Sequence, residues 1–147
     1  MMNVQITRID KTLPLPEYHT PGSFAFDFIA RETTQIKPGS ITLIPSNLII
    51  KCPDNLALLV LPRSSMPRKK HLRFPHSIGL IDQDYCGPKD EVMIQVENMS
   101  DQAVEVERGE RIAQGLFVKT ESITFTETES ADGESRGGFG STGTHHT

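Results

Sequence analysis

Gly79-Leu80-Ile81-Asp82-Gln83-Asp84-Tyr85-Cys86-Gly87 is a compact set of groups able to act on a bound molecule. Its apolar start and glycine close read as a strand running into a tight turn, the arm of a β-hairpin. Side chains two apart share a strand face, so Asp82 and Asp84 point one way, and Tyr85, an odd number of steps from Asp82, points the other. Asp82 and Tyr85 can meet one ligand only if the chain turns between them, which Gly87 favours. A carboxylate placed beside a water can orient it and take its proton as it attacks. Taken alone, the nonamer reads more plainly as an ordinary hairpin with solvated acidic turn residues.

Other stretches suit anions. Pro62-Arg63-Ser64-Ser65 follows an apolar run, where a rigid strand can present a guanidinium fork and hydroxyl donors to phosphate oxygens. Arg68, Lys69, Lys70 and Arg73 make that region locally basic, a solvated face first and a steering field second. In Arg108-Gly109-Glu110-Arg111-Ile112-Ala113-Gln114, a turn enters a strand on which the Gln114 amide can hold a water or a phosphate oxygen. Arg136-Gly137-Gly138-Phe139-Gly140-Ser141-Thr142-Gly143 combines glycines, which let backbone N–H groups approach an anion, with an arginine, hydroxyls and a stacking face. The five histidines (His19, His71, His76, His145 and His146) have no ligand-like spacing.

The elements that must position these groups are short and β-rich. Val4 to Ile9 alternates apolar and polar, and so do Glu91 to Asn98 and Val104 to Glu107. Phe24 to Ala30, Ile41 to Ile44, Leu48 to Lys51, Ile112 to Val118 and Ile123 to Phe125 read as further strands between Pro and Gly punctuation. Leu56 to Leu61 is unbroken apolar and is expected to be buried on both faces. A helical turn is expected only near Arg68 to His71. Many short strands at regular spacing imply an all-β sandwich or barrel. At 147 residues the chain is one domain with a real core. From Glu127 apolar residues nearly vanish, so residues 1–126 form the expected β domain and 127–147 a flexible arm.

A net charge of −4 argues against general nucleic-acid binding, and no apolar run reaches membrane-spanning length. The start of the chain has no apolar signal region, and Cys52 and Cys86 lack metal or redox spacing, so a reducing cytoplasm is the expected location.

In order along the chain, Ser23 to Ala30, Pro62 to Ser65, Gly79 to Gly87, Arg108 to Phe117 and Arg136 to Gly143 resemble the five motifs of the trimeric dUTPases. That resemblance implies a distorted β jelly-roll subunit, a homotrimer with active sites shared at subunit boundaries, Mg²⁺, and hydrolysis of dUTP to dUMP and pyrophosphate. Carried over, Asp82 matches the aspartate that activates water and Tyr85 the aromatic against the deoxyribose. Leu80, Ile81 and Met93 fall with the hairpin that reads uracil. Arg63, Ser64, Ser65 and Gln114 match phosphate-contacting positions, and Arg136 and Phe139 match the arm that closes over triphosphate and base. Asp27 matches the first motif's carboxylate, near metal-bound waters or in a structural hydrogen bond. His76 stands where many members have a uracil-binding asparagine, Phe24-Ala25 replaces the usual Ala-Gly, and Pro88-Lys89-Asp90 is an insertion. In the fifth motif Arg136 directly precedes Gly137-Gly138, two places later than in many relatives.

Two rivals share the fold. A dCTP deaminase needs a glutamate on the strand after the hairpin, where alignment places Gln95, with Glu97 nearby. A non-catalytic binding or regulatory relative has no need of Asp82, Tyr85, Arg63, Gln114 and the glycine arm together. Removing the chain after Ala131 is expected to leave the thermal melting of the β domain unchanged while greatly reducing catalysis. Circular dichroism melting of the truncated protein checks this.

Overall fold

The computed structural model describes residues 3–139. The regular structure there is eleven strands and one helical turn, an all-β distorted jelly roll. β1 (Gln5–Arg8) pairs with β5 (Leu48–Lys51), and β3 (Thr34–Ile36) with β10 (Val104–Val106). A third sheet orders β2 (Phe26–Ile29), β11 (Arg111–Lys119), β6 (Leu56–Leu61) and β8 (Gly79–Ile81). The fourth sheet orders β4 (Ile41–Pro45), β9 (Met93–Asn98) and β7 (Leu72–Arg73). Every pairing is antiparallel, and most join strands distant in sequence.

The alternation of each strand explains its burial. On β9, Ile94, Val96 and Asn98 are buried while Met93 faces out. Phe28, Ile44, Ile50 and Leu58, among others, form one core from all the larger sheets. In the middle of β11, a Cβ on Gly115 would lie 2.3 Å from Cζ of Phe26 and 2.9 Å from Cε2 of Phe28. The two rings therefore lie directly over the β11 backbone.

Several expectations are corrected. β6 is not buried on both faces: Leu58 and Val60 point into the core, while Leu56, Ala57, Leu59 and Leu61 are half-buried. The sheet is covered on one side only, so an apolar run here does not mean two buried faces. Gly79 to Gly87 is not one arm of a local hairpin: β8 pairs with β6, and the next strand, β9, belongs to another sheet. Ile123 and Phe125 lie outside any strand, 70% and 92% exposed, and among the described residues no strand pairs with them. Two very short strands, β3 and β7, are additions to the expected set.

The helical turn near Arg68 exists as α1 (Met66–Lys70). Pro67 suits its first turn, and His71 closes it at φ 54° with its N–H donated to Pro67 O. Gly115→Ala is expected to cost about 1–3 kcal/mol through overpacking against the two rings. Urea denaturation checks it.

Candidate active site

β2 and β11 bring together the first functional group. Their register sets Gln114 opposite Asp27, and β6 sets Leu61 opposite Gln114 from the other side. Arg63, two residues past the end of β6, thereby reaches the same spot. Its Nε lies 3.1 Å from Oδ1 of Asp27, and its Nη1 donates to Arg111 O at 3.2 Å. Arg111 Nη1 approaches Asp27 Oδ2 at 3.4 Å, and Nε2 of His19 lies 3.0 Å from that oxygen. Gln114 Nε2 donates to Pro62 O at 3.1 Å, which fixes the chain just before Arg63. Asp27, 15% exposed, is therefore a carboxylate surrounded by donors, and it holds two guanidiniums close to each other. Ser64 is exposed and Ser65 half-buried, both between Arg63 and α1.

The second group lies at the other end of β6. Ile81 pairs with Leu58, so the chain emerges at Asp82 beside Ala57, on an open groove of about 940 Å³ that Leu80, Ile81, Asp82, Gln83 and Asp84 help to line. The turn that must separate Asp82 from Tyr85 is present: Tyr85 N–H donates to Asp82 O at 3.2 Å, and Cys86 N–H to Asp84 O at 3.0 Å. Gln83 Nε2 donates to Pro53 O at 3.1 Å and ties the turn to the loop before β6. The Asp82 carboxylate is exposed and makes no hydrogen bond or ion pair among the described residues. Leu80 is 60% exposed, whereas His76 stacks on Phe74 with its Nε2 close to Gly79, at the start of β8. Met93 lies on β9, opposite Pro45 and in a different sheet from Leu80 and Ile81.

From Ala57 to Arg63 is six residues, roughly 20 Å of strand. Within one chain, Asp82 and the Arg63 cluster therefore stand too far apart to act on one phosphate group. Arg136 and Phe139 belong to neither group: every residue from Lys119 to Phe139 is exposed, with Phe139 at φ 50°. Gly140 to Gly143, His145 and His146 lie outside the described residues.

Sequence reasoning passed over His19 and assigned Arg111 no role. The signal for Arg111 was its place three residues before Gln114 on the strand that faces Asp27. His19 comes from the Pro14 to Gly22 connection, whose path no local pattern reveals. For a metal, the described residues contain no cluster of three or more His, Cys, Asp or Glu side chains. Both Asp27 oxygens already face cationic or ring donors. These residues suit a cation carried on a polyphosphate by phosphate oxygens and waters rather than one caged by the protein.

Known proteins share this sequence and this fold. The dUTPase family model matches residues 11–143. The deoxyuridine 5'-triphosphate nucleotidohydrolase of Stutzerimonas stutzeri is 41% identical over 94% of this chain and 93% of its own length. The protein of that name from Hahella chejuensis is 39% identical over 98% and 96%. Among solved structures, the dUTPase of Streptococcus mutans superposes with a TM-score of 0.76 at 33% identity, over 84% of this chain and all (100%) of that one. A Staphylococcus bacteriophage 80alpha dUTPase with dUPNHPP gives a TM-score of 0.85 at 22% identity, over 98% and 100%. A mutant dUTPase from phage phi11 of S. aureus, described with the coordination of a structural Mg(II) ion, gives 0.77 at 17% identity, over 88% and 98%. The chain belongs to the dUTPase family.

Asp27→Asn is expected to destabilise the protein by about 2 kcal/mol, because it leaves two arginines uncompensated. Calorimetry checks this as a melting temperature lower by about 4–8 °C.

Proposed function

We propose that this chain hydrolyses dUTP to dUMP and pyrophosphate, as a homotrimer whose active sites are shared between subunits. The observation that carries the reading is the division of the family's residues between two ends of β6, with Asp82 at one, unpartnered among the described residues, and a guanidinium pair at the other. An unpartnered, exposed carboxylate is free to hold a water, and a pair of arginines is suited to a polyphosphate. Because roughly 20 Å of strand separates them, a complete site requires a second copy. The relatives named deoxyuridine 5'-triphosphate nucleotidohydrolase match nearly end to end, which supports dUTP as the substrate.

In this reading, Asp82 takes a proton from water as the bond between the α- and β-phosphates breaks. Arg63 and Arg136 meet the charge that develops on the departing pyrophosphate. Tyr85 lies against the deoxyribose, Leu80, Ile81, Met93 and His76 surround the uracil, and Phe139 covers it from residues 127–147, acting as a lid. Ser64, Ser65 and Gln114 hold phosphate oxygens directly or through water. Mg²⁺ arriving with the triphosphate supplies further charge neutralisation, and Asp27 keeps the arginines in place. A cytoplasmic location fits a nucleotide substrate. The same strand gives deamination no ready base: position 95 is an amide, and Glu97 is held by Arg73 at 2.8 Å.

The outward face of the β2-β11-β6-β8 sheet favours assembly. Leu80, Leu59 and Leu116 lie side by side across three strands, a stripe that a water-facing sheet replaces with polar residues. Ile123 and Phe125 add exposed apolar groups on the chain that follows β11.

Asp82→Asn should lower kcat by several orders of magnitude with little loss of dUTP binding, measured by pyrophosphate release and calorimetric titration. Equal co-expression of Asp82→Asn with a tail-deleted protein tests sharing. Random assembly gives about three quarters mixed trimers, each with one complete site, so activity returns to roughly a quarter of the wild-type level. Activity no higher than that of the parents, in trimers proven mixed by mass, rules out an arm supplied to Asp82 by a neighbouring subunit.

A further inference from the structure

The Tyr85 hydroxyl donates to the backbone oxygen of Glu91 at 3.1 Å, across the loop that contains the Pro88 to Asp90 insertion. That acceptor is itself anchored. The Glu91 side chain is buried, and its Oε1 accepts from Arg31 Nε at 2.9 Å and from the Asn47 backbone N–H at 2.7 Å. Its Oε2 accepts from Arg31 Nη2 at 3.0 Å, which completes a two-pronged pair. Next along the chain, Val92 N–H donates to Leu48 O at 2.9 Å, and Val92 O accepts from Ser46 N–H at 3.2 Å. Asn47, at φ 72°, is held in turn by Asp10, whose backbone N–H donates to Asn47 Oδ1 at 2.6 Å. Within the loop, Gly87 N–H donates to Asp90 Oδ2 at 2.7 Å and Asp90 N–H to Gly87 O at 3.0 Å, so the insertion closes on itself.

We infer that Glu91 and Arg31, neither of which reaches a ligand, are positioning residues for sugar discrimination, acting through the Tyr85 hydroxyl. The inference rests on the reading that Tyr85 faces the deoxyribose. A tyrosine ring 38% exposed on a loop turns about two side-chain bonds, and a wall that yields by a few tenths of an ångström no longer excludes a 2′-hydroxyl. A hydrogen bond at the far end of the ring removes that freedom only if its acceptor is rigid. Here a buried ion pair and a backbone N–H from the β4–β5 turn make it rigid.

The test compares wild type, Tyr85→Phe, Arg31→Gln and the double variant. It measures kcat/KM for dUTP and for UTP, and amide hydrogen exchange over residues 82–91. Tyr85→Phe keeps the ring and removes only its hydroxyl, and is expected to lower the dUTP/UTP ratio of kcat/KM about five- to tenfold, the worth of one hydrogen bond. Arg31→Gln moves the ratio the same way. The double variant goes no further than the larger single effect, because both act through one carbonyl. Exchange over the loop quickens in every variant. Should Arg31→Gln fold poorly with Glu91 left unpaired, Arg31→Lys, which keeps the charge and loses the fork, takes its place. A ratio unchanged in Tyr85→Phe, or strictly additive effects, overturns the inference. A wild-type protein that does not hydrolyse dUTP overturns the proposed function and the sugar role together, and the exchange data then decide whether the anchor itself exists.

Discussion

One missing side chain governs the centre of this molecule. β11 can run between β2 and β6 only because Gly115 presents bare backbone to Phe26 and Phe28, with no room for even a methyl group. That close approach locks the register of three strands at once. In this register Gln114 faces Asp27 on one side and Leu61 on the other, and the chain after Leu61 brings Arg63 onto the Asp27 carboxylate. A slip of one residue would turn Gln114 inward and carry Asp27 away from both arginines. The cluster of donors around Asp27 is thus a by-product of how two aromatic rings pack.

The strands with clear alternation, such as β1 and β9, were legible in the sequence because period two is a local property. What escaped was non-local. The stretch ending in Gly87 looked like a hairpin arm, yet its partner is β6, roughly twenty residues earlier, and nothing in the nonamer encodes that choice. β3 and β7 were illegible because two or three residues cannot display a period. The same divide holds in the candidate site. Asp82, Tyr85, Arg63 and Gln114 stood in recognisable local motifs, but the pair between Arg31 and Glu91 joins residues 60 apart and belongs to no motif. His19 joins Asp27 through a proline-punctuated connection whose course only the folded chain defines.

The polar networks around Asp27 and Glu91 carry different burdens, the first half-exposed and the second buried. Around Asp27, cations outnumber the carboxylate, so the cluster stays receptive to further negative charge. Around Glu91, charge and hydrogen bonding are balanced inside the protein, and the guanidinium of Arg31 is held above its ordinary pKa by its bonds to Glu91. The first arrangement is open to a ligand and the second is closed to one. A closed network contributes rigidity, and here it stands behind a loop that a solvated connection would leave loose.

The loop from Asp82 to Val92 leaves one sheet at β8 and enters another at β9. It is a strap across the sandwich, and it senses the spacing of the two layers. A shift between the two sheets is felt at the strap's own bonds, from Tyr85 N–H to Asp82 O and from the Tyr85 hydroxyl to Glu91 O. The geometry between Asp82 and Tyr85 is therefore set by both sheets at once.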